Sequence, residues 1–133
     1  MERFLPILDR ISVRLREILT ESEDCMLSWD FARLKRVGDE LIRLSTDIYP
    51  QLSLVGHRVL YQSIREAGLG IKMRVMLIEK REINEEDKEY FRSVHETLSY
   101  ICQKIESGEY YRALLDVARK KGERDSVEGS YLL

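Results

Sequence analysis

Three stretches of the chain carry apolar residues at alternating steps of three and four. The first runs Phe4, Leu8, Ile11, Leu15, Ile18. The second runs Leu27, Phe31, Leu34, then Leu41 and Ile48, and the cleanest runs Phe91, Val94, Leu98, Ile101, Ile105. This spacing lines each set along one side of an α-helix, and every such stripe must be covered by another. A chain of 133 residues is long enough to bury one core. With 44% hydrophobic and 35% charged residues it belongs with globular rather than disordered chains. The expected fold is therefore all-α, a single-domain bundle of about five helices.

The spacing predicts a first helix over 4–21, with Pro6 tolerated in its first turn. The acidic run Glu21-Ser22-Glu23-Asp24 then reads as a connection. Ser28 or Asp30 is placed to cap a second helix reaching about Asp47 and closed by Pro50. Gly38 falls on its apolar stripe, where another helix can come close. A third helix is expected from about Ser53, with Val55, Val59, Leu60 and Ile64 inward. The residues after Gly68-Leu69-Gly70 fit two patterns. Ile71, Met73, Val75 and Leu77 alternate as in a strand, whereas Ile71, Val75 and Ile78 keep helical spacing. A lone strand without a partner is unstable, which favours a helix broken or kinked at the two glycines.

Asn84 is a suitable N-cap for a fourth helix, with Glu85, Glu86 and Asp87 where the helix dipole favours negative charge. That helix is expected to end near Ser107, with Gly108 as a left-handed stop. A fifth should span Tyr110 to Lys121, inward through Tyr111, Leu114, Leu115 and Ala118, and stop at Gly122. The chain thus divides into a bundle over 1–122 and a loosely ordered tail over 123–133.

The residues that could carry chemistry are few. A carboxylate-bridged metal pair in a bundle needs Glu three residues before His, but Arg92 stands in that place before His95, and His57 is the only other histidine. No metal or cofactor is expected, and no catalytic residue. No serine lies in a nucleophile elbow, and neither cysteine has a histidine nearby in sequence. Gly68 and Gly70 lack the Lys-Ser/Thr of a phosphate loop. Cys25 and Cys102 read as buried reduced thiols, with a disulfide between them left open. An enzyme whose site assembles only in three dimensions also stays open.

Two surfaces stand out instead. From His57 to Glu82 basic residues outnumber acidic ones; Arg58, Arg65 and Lys72 recur every seven residues, as do Arg74 and Arg81. On continuous helix these are candidate nucleic-acid contacts, against the alternative of a solvated or ion-paired face. The formal net charge of −2 argues against a whole surface built for nucleic acid. Tyr110, Tyr111 and Tyr131 are candidate partner contacts, since tyrosine is favoured at interface centres. No run approaches a membrane span or a signal peptide, so a cytoplasmic protein is expected, with a protein partner or a second copy. Arginine outnumbers lysine and side-chain amides are scarce, as in heat-adapted proteins.

The run from Arg58 through Ile105, with IKMRVMLIEKREINEEDKEYFRSVHETL inside it, resembles the helical domain of archaeal GINS replication subunits. There a basic helix is followed by an acid-capped one. The earlier LREILTESEDCMLSWDF is loosely similar to that domain's start, although the spacing around Leu27 and Phe31 differs and the family's small β domain has no counterpart. REAG at 65–68 and EYYRALLDVAR at 109–119 resemble the small helical subunit of type III CRISPR effector complexes. Both resemblances imply a non-catalytic subunit of a nucleic-acid machine. The expected function is a helical interaction or scaffold subunit.

Overall fold

A computed structural model describes the backbone of residues 4–53 and 58–132 and the side chains of 5–51 and 58–120. It contains five helices: α1 (Phe4–Ser28), α2 (Phe31–Ser53), α3 (Val59–Ile78), α4 (Glu85–Glu106) and α5 (Glu109–Leu132). No strand occurs among the described residues. The fold is the expected all-α bundle. The alternation at 71–77 yields to helix because Ile71, Val75 and Ile78 share one buried side of α3.

α1 lies between α2 and α4, and its residues Leu8, Ile11, Leu15 and Ile18 are almost fully enclosed. Each such side chain contributes about 2 kcal/mol by leaving water. Val37, Leu41, Leu44 and Ile48 of α2 and Phe91, Leu98, Cys102 and Ile105 of α4 complete the centre. α3 packs chiefly on α2, and α5 rests more lightly on α4 and α1.

Several boundaries differ from expectation, each for a local reason. α1 continues through Glu21–Asp24, because Ser22 and Cys25 extend its buried side while Glu21 and Asp24 face outward onto Arg33. It ends at Trp29, which takes the left-handed conformation (φ 54°) normally left to glycine. The Asp30 N–H then donates to the Cys25 carbonyl at 3.1 Å, closing a Schellman turn. Trp29 holds that turn at a cost of about 1 kcal/mol, offset by its ring stacking near Phe91 and the cations of Lys88 and Arg92. Asp30 accepts from the Arg33 N–H at 3.2 Å and caps α2 as anticipated. Leu27 is correspondingly misplaced by sequence: it lies in the last turn of α1, outside the stripe, and is 82% exposed. α2 passes Pro50 and ends at Ser53, so the lost N–H falls in the final turn. Ser53 thus ends α2, and α3 starts at Val59, which faces solvent instead of the core. Val55 and His57 lie outside the described residues.

α3 is not broken at Gly68 or Gly70. The glycines serve close approach instead. Gly38 and Gly68 meet where α2 and α3 cross: a Cβ at Gly68 would stand 2.7 Å from the Gly38 carbonyl, and one at Gly38 2.9 Å from the Gly68 carbonyl. The space above Gly70 is filled by Tyr90 of α4, whose hydroxyl an added Cβ would overlap. Gly70→Ala should therefore destabilise by about 2 kcal/mol through overpacking, and Tyr90→Phe in the same chain should recover most of that, because the ring carbon behind the hydroxyl would stand 3.4 Å from the new Cβ. Thermal unfolding of the two variants checks it; equal losses with and without Tyr90→Phe would refute the contact.

α4 opens at Asn84 with a reciprocal cap. The Asp87 N–H donates to Asn84 Oδ1 at 2.9 Å, and the Asn84 N–H donates to Asp87 Oδ2 at 3.0 Å. It ends at Gly108, whose φ of +83° supplies the anticipated left-handed stop. The α5 backbone runs past Gly122, and of its expected inward residues Leu114 is buried while Leu115 and Ala118 face solvent. Cys25 and Cys102 are buried and unpaired, and burial pushes both thiols up.

Candidate interaction surface on α3

The basic recurrence that sequence places on one helix divides in space. Arg74 and Arg81 converge on Asp87, which is completely buried. Arg81 grips both carboxylate oxygens, at 2.6 and 2.7 Å, and Arg74 donates to Oδ1 at 3.2 Å. With the Asn84 N–H, four donors fill one carboxylate, a charge-assisted bidentate arrangement. The Arg81 guanidinium holds the Asp87 carboxyl well below the usual carboxylate range, against the opposing effect of burial, and the Asn84 N–H and Arg74 add to it. Arg74 also lies over the Tyr90 ring at 4.5 Å. This cluster ties the end of α3 to the start of α4. It leaves no open position for a ligand on Asp87.

Lys72 pairs with Asp39 of α2 at 2.6 Å. Arg58 and Arg65 remain exposed and form no ion pair among the described residues. Of the candidate nucleic-acid contacts, then, two present unshared charge to solvent and three are engaged within the chain. Tyr110 and Tyr111 are half-buried against the core, where desolvation pushes the Tyr110 phenol upward. The Tyr131 side chain lies outside the described residues.

What sequence reading passed over is the opposite side of α3. Once Leu60, Ile64, Ile71, Val75 and Ile78 turn inward, Leu69, Met73, Met76 and Leu77 are left on the outside. Met73 is 65% and Leu77 56% exposed. Among the described residues no other helix covers them, since α3 meets α2 and α4 on its remaining sides. The signal was present: these four positions keep their own steps of four, three and one within an amphipathic helix. Their combined exposed area is on the order of a few hundred Å², the size at which an apolar patch on a monomer is often functional.

No family model, curated protein or solved structure matches the chain. Function must therefore be argued from these surfaces.

Beside α3, an open groove of about 450 Å³ runs between it and α4, lined by Ser63, Ala67, Tyr90, Ser93 and Thr97 among others. A second, of about 390 Å³, lies between α1 and α2 with Arg10, Arg14 and Asp47 on its rim. Neither is lined by His95 or a cysteine. The His95 Nδ1 is buried without a hydrogen-bond partner. Among the described residues no three His, Cys, Asp or Glu side chains gather as metal ligands, and no helix is long and apolar enough to cross a membrane.

Proposed function

We propose that the protein is a non-catalytic interaction subunit of a larger assembly, engaging its partner through the outer face of α3. The observation that carries this reading is the exposed Leu69, Met73, Met76 and Leu77 on a helix anchored from behind by the Gly38–Gly68 crossing and at its end by Asp87. A rigid helix presenting apolar side chains at helical spacing suits helix-in-groove recognition. The two methionines add adaptable contact.

Purification from the native host tests it. The Met73→Glu and Leu77→Glu substitutions together should remove a copurifying protein while leaving the circular dichroism spectrum unchanged, because both side chains already face water. Retention of the same protein by the doubly substituted chain would contradict the reading. The likeness to subunits of replication and CRISPR complexes suggests that the assembly handles nucleic acid. Arg58 and Arg65 are then the contacts available to this chain, fewer than the six to ten that sustain strong salt-dependent binding. Charge reversal at both should abolish retention on nucleic acid at low salt if that second reading holds.

A further inference from the structure

The exposed groups of α3 and of the turn just past its end follow a spacing that reads the same from either end. Glu66, Leu69, Met73, Leu77 and Lys80 succeed one another at steps of three, four, four and three residues. All five are exposed, and neither Glu66 nor Lys80 forms an ion pair among the described residues. A twofold axis through Met73 and perpendicular to the helix would place Leu69 beside Leu77 of a second copy, each about 6 Å along its helix from the axis. It would also turn Glu66, about 10 Å along its helix from the axis, toward Lys80 in the turn that follows α3 of the second copy, twice over.

We propose, resting on the reading of α3 as the interaction surface, that its partner is a second copy of this chain, joined antiparallel across a twofold axis at Met73. An isologous interface sets each residue at its axis against itself, which excludes a charge there. Methionine is neutral and adaptable. Leu69, Met73 and Leu77 form an i±4 ridge, and ridges of that kind interlock at about −50°. Of the like charges that the axis also relates, Lys72, matched with Arg74, is paired with Asp39, while Arg74 and Arg81 share the single charge of Asp87. Arg65, matched with Arg81, stands at the flank of the ridge and forms no ion pair among the described residues. On the ridge itself the exposed charges are complementary, Glu66 and Lys80. The small apolar area indicates a weak, reversible dimer.

Sedimentation equilibrium of the full chain tests this. The expected result is a reversible monomer–dimer equilibrium in which Met73→Glu raises the dissociation constant on the order of 100-fold, since the residue counts twice at the axis. Glu66→Lys or Lys80→Glu alone should raise it several-fold, and the two together should return it to within about twofold of the parent. A monomer at every concentration, a dimer indifferent to Met73→Glu, or a charge exchange that fails to restore affinity would each overturn the proposal. A monomer whose Met73→Glu variant sheds a copurifying protein would overturn the second copy alone. A monomer that sheds nothing would overturn the interaction reading with it.

Discussion

Gly68→Ala is expected to lower stability by about 2 kcal/mol, a loss of roughly 8 °C in melting temperature for a domain of this size. Alanine is the better helix former by about 1 kcal/mol, so an exposed glycine in mid-helix should gain from the change. Here the new methyl would meet the Gly38 carbonyl at 2.7 Å, Ile42 Cγ1 at 2.9 Å and Leu41 Cβ at 3.0 Å. Backbone and Cβ atoms cannot swing aside, so α2 and α3 must separate along their shared length. Gly38→Ala presses on the Gly68 carbonyl at 2.9 Å and on the more pliant Lys72 side chain at 2.7 Å. It should cost somewhat less. Because both substitutions open the same crossing, the double variant should lose less than the sum of the two. Denaturant unfolding of the three variants measures this. Stabilisation by either alanine would contradict the packing described.

Asp87→Asn is expected to be the most damaging single isosteric change, with a fall in melting temperature on the order of 10 °C at neutral pH. It leaves Arg74 and Arg81 without their common anion and weakens the cap of α4. The acid dependence has a definite sign. The folded carboxyl titrates below its unfolded value of about 3.9, so in acid the unfolded chain binds more protons than the folded one. The stabilisation is complete above that unfolded value and is lost as pH falls through the folded one. Glu106, held down by Arg16, and Glu109, held down by Lys104, act in the same direction. The difference between parent and Asp87→Asn melting curves isolates the buried carboxylate. That difference should shrink steadily below about pH 4, and parallel curves from neutral to acid would contradict the assignment.

Much of the fold was legible because its determinants are local. The stripes of α1, α2 and α4, the Asp30 and Asn84 caps and the Gly108 stop all depend on residues within a turn or two of one another. The failures fall where tertiary contacts decide. Nothing near Gly68 in sequence reveals that Gly38 lies against it, so a glycine chosen for closeness reads as a glycine chosen for a bend. Trp29 in a glycine's conformation is held by Phe91 and cations some sixty residues away. The acidic start of α4 reads correctly as helix charge at Glu85 and Glu86, while Asp87 gains its larger role from Arg74 on α3 and Arg81 in the connection that follows it. Spacing alone could not separate Arg58 and Arg65, which stay exposed, from Arg74 and Arg81, which turn back onto the chain. The Leu69–Leu77 surface was hidden by a competing strand pattern, and it emerges only when the buried side of α3 is subtracted.

If α3 is the interaction surface proposed, its outer face is covered in the working protein. A photoreactive amino acid placed at position 73 and irradiated in the native host tests it most directly, with the same group at exposed Val13 on α1 as the reference site. The expected result is a discrete covalent adduct from position 73, whether to a second copy or to another protein, and none of comparable yield from position 13. No adduct from position 73, or equal diffuse labelling from both sites, would contradict it.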